Sequence, residues 1–202
     1  MIRMNQEYFF ISKPRCASTH LYEGLTNWND KTHGNKPFYH ITANQMKNVF
    51  KEKYKNSFSF SVIRHPYELV LSWYNEHRKP RYEQSVKDFY NISVDEWINK
   101  GCPTHWSHSP FNPLHQHKWV YDSNDVLSVS FLIRMEDYEN GINYVYHQIQ
   151  PHLQSSITLD TVNQTRKNES SNKVELTEEQ KKKICLYHEK IRYAPFVVFC
   201  IK

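Results

Sequence analysis

The chain has 202 residues, with 26 Lys or Arg against 21 Asp or Glu and a formal net charge of +5. This length allows one domain with a sizeable core. The small basic surplus suits an anionic partner such as a nucleotide, a polyanion or a membrane surface, without choosing among them. The four cysteines are scattered without a Cys-x-x-Cys pair, which argues against a zinc knuckle and a dense disulfide framework.

The first segment, residues 8–25, predicts a short apolar strand, a basic turn and a helix in succession. The strand covers Tyr8 to Ile11, and the helix begins with two hydroxyl residues. The first N–H groups of a helix and the positive end of its dipole both favour an anion. The turn and the helix start add two cations and two hydroxyls: Lys13, Arg15, Ser18 and Thr19. This segment therefore predicts a site for a phosphate or a sulfate ester.

Hydrophobic periodicity and capping residues predict the elements that follow. The predicted strands are Ser57–Ile63 and Val126–Ile133. One predicted helix runs from Pro66 to about Glu76, and others start after the capping residues Thr42, Ser93 and Thr177. A further helix, which follows the Val126–Ile133 strand, is predicted to stop before Pro151. The helix after Thr42 has a predicted apolar face of Ala43, Met46, Val49, Phe50 and Tyr54. Alternating strands and helices predict an α/β fold with a mainly parallel central sheet flanked by helices. The terminal Phe196–Ile201 stays open between a strand and a docked tail.

A second candidate anion site lies in residues 62–74, VIRHPYELVLSWY. Arg64 ends a predicted strand, where parallel α/β sheets bind ligands, and Ser72 lies in the helix that follows. Arginine binds phosphate through two parallel hydrogen bonds, and a serine hydroxyl adds a contact. The alternative is a surface ion pair for Arg64 and a backbone hydrogen bond for Ser72.

The two segments together resemble the sulfotransferases that use 3′-phosphoadenosine 5′-phosphosulfate (PAPS). That family's PKxxSTx loop holds the 5′-phosphosulfate and is similar to Pro14–His20. Its VRxPYxRLVSxY segment holds the 3′-phosphate and is similar to Ile63–Tyr74. Three further segments resemble family motifs, namely His40–Ala43 (His-x-Thr-Ala), Leu132–Tyr138 (Arg-x-Glu-Asp-Leu) and Asn163–Lys167 (Asn-x-x-x-Arg). The nearest types are the heparan 2-O and chondroitin sulfotransferases.

The resemblance implies a single P-loop-NTPase-like domain over residues 1–202. It implies PAPS as sulfuryl donor, no metal, and an acceptor hydroxyl that we expect on a carbohydrate rather than a nucleic acid. The implied ligands of the 5′ end are Arg15, Cys16, Ala17, Ser18, Thr19 and His20. The implied ligands of the 3′-phosphate are Arg64 and Ser72, with Arg166 and Lys167 closing over it.

Two catalytic assignments follow from this resemblance. The family usually has lysine at the position of Arg15, so the catalytic cation is open between Arg15 and Lys13, and we favour Arg15. His40 is the candidate base, since its ordinary pKa near 6.5 suits proton abstraction, a role that contributes ~10²–10⁴-fold. His40 could instead only cap its helix or pack against its aromatic neighbours, and Glu23 is the second candidate base.

Acidic and imidazole side chains elsewhere allow weaker hypotheses. Glu136 and Asp137 could orient Arg134 or the base, or form a structural ion pair. The histidines at 105, 108, 115 and 117 match no zinc signature well. The region from Thr104 to Trp119 is a hypothetical lining of the acceptor cleft.

Three other functions compete with this interpretation. A kinase would need a glycine-rich phosphate loop, and no glycine occurs between Met1 and Glu23. A non-catalytic binder of RNA or anionic glycan would explain the charge and the aromatics, and a degenerate sulfotransferase would bind the cofactor without turnover. Without an apolar signal region or a run of transmembrane length, we expect no stable membrane insertion and a cytoplasmic enzyme of bacterial or viral origin.

Overall fold

The computed structural model describes residues 8–26, 40–106, 112–164 and 175–187. Three strands, β1 (Tyr8–Ile11), β2 (Phe58–Ile63) and β3 (Phe131–Arg134), form a parallel sheet in the order β1-β2-β3. The helices are α1 (Ser18–Thr26), α2 (Ala43–Phe50), α3 (Glu52–Asn56), α4 (Pro66–His77), α5 (Gln84–Phe89), α6 (Val94–Asn99), α7 (His117–Val120), α8 (Tyr138–Ile149), α9 (Leu159–Gln164) and α10 (Glu178–Tyr187). The prediction of an α/β fold with a parallel sheet flanked by helices is confirmed.

Contacts within the described residues divide the chain into two compact units. The first unit contains the sheet, the residues up to Ile63 and those from Lys118 to 164. The second contains the described residues from Arg64 to His117 and residues 175–187. The expectation of one domain over residues 1–202 stays a prediction.

The core of the first unit lies around β1, α2 and α7. Phe9 and Ile11 of β1 pack with Met46, Tyr54 and Trp119, all of which are buried. On β2, the serines that alternate with apolar residues are also buried, and their hydroxyls bond to the neighbouring strands. Ser61 donates to the Ile11 carbonyl at 2.7 Å, and Ser59 exchanges hydrogen bonds with Ser130. The central strand is therefore buried on both faces, as parallel sheets require.

Helix α8 lies directly on β3. A Cβ built at Gly141 would stand 2.7 Å from the Cγ2 of Ile133, closer than side chains approach one another. The predicted apolar face of this helix is buried, and the helix ends at Ile149 before Pro151, as predicted. The absence of a side chain at Gly141 thus allows this close helix–strand contact.

The second unit is built on an aromatic core. Trp73 of α4 donates its indole N–H to the Tyr90 hydroxyl at 2.7 Å, and Trp97 of α6 is fully buried beside them. Helix α10 packs on α4 and α6, and its start is capped by Thr177 and Gln180, as predicted. Within the unit, α10 binds α6 through Lys183, whose ammonium donates to Asn99 at 2.7 Å.

Two predictions of detail were wrong. Val49 is 55% exposed. The helix predicted after Thr42 also breaks at Lys51, where φ is +49°, into α2 and α3. The strand predicted over Val126–Ile133 forms only from Phe131 onward. Its first half turns back on the chain through an antiparallel bridge between Tyr121 and Leu127. The Phe196–Ile201 segment lies outside the described residues.

No helix within the described ranges is long and apolar enough to cross a membrane. Cys16, Cys102 and Cys185 are not in disulfides, in line with their scattered positions.

Candidate functional site

The candidate site begins where β1 ends, at the carboxyl edge of the parallel sheet. Residues 12–17 form a compact turn because the Lys13 carbonyl accepts both the Cys16 N–H, at 3.4 Å, and the Ser18 hydroxyl. Helix α1 then starts with a hydrogen bond from Leu21 N–H to the Ala17 carbonyl at 2.9 Å. Ligands of parallel α/β sheets bind at this edge, and helix N-termini favour anions there.

Backbone conformation in this turn is unusual. Arg15 and Ala17 have φ values of +63° and +54°, the left-handed region that costs a residue with a Cβ roughly 1–2 kcal/mol. His40 has φ of +60°. Left-handed residues alternating with ordinary ones are the geometry of backbone nests that cradle anions. Strained residues cluster at functional sites, and here they coincide with the turn predicted from the sequence.

The two candidate cations of the turn occupy different environments. Lys13 is fully buried, and its Nζ lies 3.5 Å from the Cys16 sulfur, inside the turn. Arg15, in the same turn, is half-buried. The Lys13 amine is therefore enclosed in the turn, whereas Arg15 keeps part of its surface exposed.

His40 contacts this turn directly. Its Nδ1 lies 2.9 Å from the Ser12 carbonyl and 3.4 Å from the Ser12 hydroxyl, and its ring meets Trp119 edge-on at 6.4 Å. A carbonyl only accepts hydrogen bonds, so Nδ1 carries the proton and the neutral ring has its lone pair on Nε2. Thr42, two residues on, caps α2 in the predicted capping box with Gln45. The alternative that His40 itself caps the helix is thereby wrong.

In the second unit, Arg64 follows the last residue of β2 and precedes α4. Its backbone is held at both ends by the buried carboxamide of Gln116. The Arg64 N–H donates to Gln116 Oε1 at 2.8 Å, and Gln116 Nε2 donates to the Arg64 carbonyl at 2.6 Å. Its guanidinium pairs with Glu68 at 3.2 Å, in the surface ion pair that the sequence left open. Such a partly exposed pair contributes at most about 1 kcal/mol, so a phosphate can replace the carboxylate.

The other predicted cofactor ligands are placed as follows. Ser18 and His20 are buried, Thr19 is exposed, and Ser72 is buried within α4. His20 packs edge-on against Tyr138 at 5.5 Å. Arg166 and Lys167 lie outside the described residues.

The weaker candidates have diverse surroundings. Glu23 is half-buried in α1, and Glu136 and Asp137 are exposed, with Asp137 accepting a hydrogen bond from Asn140 at 2.6 Å. His105 packs among His77 and Tyr90, and its Nδ1 lies 3.1 Å from the Tyr90 hydroxyl. Among the described residues no cluster could hold a metal ion; His108 lies outside them.

Sequence reasoning missed two residues that organise the site. Ser12 supplies the carbonyl that orients His40, and Gln116 holds the backbone of Arg64. Neither belongs to a motif with its own spacing, and both act through contacts between residues far apart in the chain. Both residues are buried, which only the structure shows, and no signal in the sequence marks either of them.

An α/β fold with a turn of left-handed residues after its first parallel strand is typical of proteins that handle nucleotides or phosphates. Comparison with protein families narrows this class, since the model of the sulfotransferase family matches residues 1–197. The chain therefore belongs to the sulfotransferase family, and its general chemistry is sulfuryl transfer. Neither a search of curated proteins nor a search of solved structures found a match.

Proposed function

We propose that this protein transfers the sulfuryl group of PAPS to a hydroxyl of a carbohydrate acceptor, with His40 as the base. The observation that supports this most is the coincidence of the strained turn after β1 with an imidazole held against it by Ser12. A mere anion binder needs the turn but has no use for an oriented imidazole beside it.

The turn suits the 5′ end of the nucleotide on chemical grounds. Its left-handed residues, the start of α1 and two cations all favour a phosphosulfate group. When bound, PAPS supplies the sulfuryl group and leaves as adenosine 3′,5′-bisphosphate. Arg15, half-exposed at the turn, is the side chain that we assign to the developing negative charge; Lys13 adds positive charge from inside the turn.

We assign recognition of the 3′-phosphate to Arg64 and Ser72. The two hydrogen bonds from Gln116 already fix the backbone of Arg64. Less conformational freedom is therefore lost when the Arg64 guanidinium leaves Glu68 and binds a phosphate. Arg166 and Lys167 remain assigned to the same phosphate by resemblance alone.

His40 acts on the acceptor in this proposal. Its Nδ1–H is held by the Ser12 carbonyl, so Nε2 accepts the proton of the acceptor hydroxyl as the oxygen attacks sulfur. The carbonyl also stabilises the imidazolium that results, because it accepts the hydrogen bond that Nδ1–H donates. Alignment of donor and acceptor supplies the remaining rate enhancement.

Thermal-shift titration with adenosine 3′,5′-bisphosphate tests the cofactor assignment, with AMP and ATP as comparisons. A ligand at 100 times its Kd stabilises the folded state by about 2.7 kcal/mol, which raises Tm by roughly 5–11 °C in a chain of this length. We expect this shift with the bisphosphate and a much smaller one with AMP. Equal shifts with all three nucleotides would contradict the proposal.

Arg64→Ala provides the matched test of the 3′-phosphate contact. We expect it to abolish the preference for the bisphosphate over AMP. Lys55→Ala, which removes an exposed cation paired with Glu52 and outside every assigned site, serves as the control. A preference retained in Arg64→Ala would overturn the role assigned to that residue.

A further inference from the structure

The second unit contains a solvent-open pocket of about 420 Å³, a volume in the range of small-ligand sites. It lies between the carboxyl-terminal part of α4 and the turn that joins α5 to α6. Helix α4 contributes Tyr74, Asn75 and the following Arg78, and the turn contributes Asn91, Ile92 and Ser93. None of these residues is an assigned nucleotide ligand, although Tyr74 ends the segment that resembles the family's 3′-phosphate motif.

Arg78 is fixed in place without a carboxylate partner among the described residues. Its Nη1 donates to the Tyr74 hydroxyl at 2.7 Å, and its guanidinium lies over the Tyr74 ring at 4.8 Å. The Tyr74 hydroxyl in turn donates to the Ile92 carbonyl, which joins the two walls of the pocket. The neighbouring cations Lys79 and Arg81, in contrast to Arg78, both form ion pairs with the buried carboxylate of Glu76. A preorganised guanidinium with remaining N–H donors is suited to bind an oxyanion.

The rest of the pocket favours a hydroxylated ring over a simple ion. The carboxamides of Asn75 and Asn91 offer both donors and acceptors to ring hydroxyls. Ser93 accepts the Glu96 N–H at 3.1 Å, and its hydroxyl proton is left to donate outward. The half-buried Ile92 adds a small apolar surface for the C–H face of a sugar.

We propose that this pocket binds the anionic substituent, a carboxylate or a sulfate ester, of one unit in an acidic saccharide acceptor. The guanidinium of Arg78 binds the oxyanion, and the carboxamides bind the hydroxyls of the same ring. The role as acceptor site rests on the proposed function, whereas saccharide binding itself does not. The guanidinium of Arg78 recognises only the charged substituent, so the pocket would select acidic over neutral chains.

Calorimetric titration without nucleotide tests the pocket with three probes. These are unsulfated chondroitin hexasaccharide, its carboxyl-reduced neutral form, and a carboxyl-reduced form carrying sulfate esters. We expect binding of at least one charged probe, and its identity distinguishes carboxylate from sulfate recognition. Binding of the neutral probe as tightly as the charged ones, or of none of them, would overturn the proposal.

Variants of Arg78 locate the binding. We expect Arg78→Gln to lower the affinity for the charged probe at least about tenfold. Arg78→Lys should lower it less, because lysine keeps the positive charge but lacks the paired N–H donors of the guanidinium. Lys100→Gln, which removes an exposed cation paired with Glu96 outside the pocket, should bind like the unmodified protein. Equal affinity of Arg78→Gln and the unmodified protein would refute the site.

A parallel titration with adenosine 3′,5′-bisphosphate separates this proposal from the proposed function. Arg78→Gln should bind the bisphosphate like the unmodified protein and, in turnover, raise the KM for the acidic acceptor with little change in kcat. If the saccharide binds at Arg78 while the bisphosphate fails to bind the unmodified protein, the proposed function is wrong and the saccharide site stands. A phosphopeptide that competes for Arg78 more tightly than any saccharide would overturn the assigned ligand class.

Discussion

At the scale of one residue, a single contact with Ser12 fixes both the position and the protonated nitrogen of the His40 ring. Its imidazole lies against the Ser12 carbonyl, 28 positions away in the chain, in a left-handed backbone conformation that histidine adopts at a cost. The contact fixes which nitrogen carries the proton and brings the ring to the turn that we assign to the nucleotide. Its position thus supports a chemical role beyond packing, although Trp119 also lies against the ring.

His40→Gln tests the base directly. A Gln amide can still donate to the Ser12 carbonyl but cannot accept a proton at neutral pH. We therefore expect kcat to fall ~10²–10⁴-fold while the affinity for adenosine 3′,5′-bisphosphate stays within about twofold. His147→Gln, on the exposed face of α8, is the matched control and should leave kcat unchanged. Retention of full activity in His40→Gln would reassign the base, with Glu23 tested next.

Ala17 tests the backbone conformation of the turn. Its φ of +54° suits glycine, so Ala17→Gly should leave the free energy of unfolding nearly unchanged, since relief of strain offsets the added chain entropy. Ala17→Val should reduce both stability, by about 1–3 kcal/mol, and bisphosphate affinity, because a β-branched residue resists a left-handed φ. Urea unfolding and nucleotide titration measure the two effects. A valine variant as stable as the parent would show that the turn tolerates another conformation.

At the scale of elements, the position of each helix follows from specific side chains rather than from helix propensity. Pro66 starts α4 and His65 caps it by accepting the Tyr67 N–H at 3.3 Å. Ser93 likewise caps α6. These signals are local, which is why the starts of both helices could be predicted. The contact of α8 with β3 depends instead on the space at Gly141, which no local pattern reveals.

Gly141→Ala tests that contact. Alanine favours a helix over glycine by up to about 1 kcal/mol, but its Cβ would stand 2.7 Å from Ile133. We expect the clash to prevail and the free energy of unfolding to fall by about 1–3 kcal/mol. Asn143→Ala, exposed on the same helix, is the control. In the double variant with Ile133→Ala the two losses should be less than additive, and simple additivity would contradict the clash.

At the scale of the whole molecule, charge is nearly balanced, and many surface cations already have partners. Lys79 and Arg81 bind Glu76, Lys100 binds Glu96, and Lys183 lies 2.8 Å from Glu179. The remaining surplus of +5 is too small to support tight binding to a long polyanion by charge alone. This distribution favours small sites with fixed partners over a basic surface for RNA.

The salt dependence of the binding affinity distinguishes a nucleotide-binding enzyme from a non-catalytic RNA binder. We expect the affinity for a generic RNA oligonucleotide to fall steeply between 50 and 200 mM KCl, to no better than roughly 10⁻⁶–10⁻⁴ M. Adenosine 3′,5′-bisphosphate should still saturate the protein at 200 mM KCl. The two phosphate sites that we propose combine positive charge with hydrogen-bond donors held in place, so the affinity depends less on salt. Fluorescence anisotropy with labelled ligands measures both. RNA binding that stays tighter than bisphosphate binding at 200 mM KCl would favour the non-catalytic alternative.

The sequence by itself determined the elements that depend on neighbours in the chain. These are the strand and turn at residues 8–17, the proline start of α4 and the capping box of α2, along with the motifs that identify the family. Only the tertiary structure decided features that depend on distant residues. It buried both serines of β2, broke the helix at Lys51 and shortened β3, because packing and pairing between strands override local periodicity. It also brought Ser12 to His40 and Gln116 to Arg64, contacts that no spacing in the chain encodes, since they arise only when separate elements fold together.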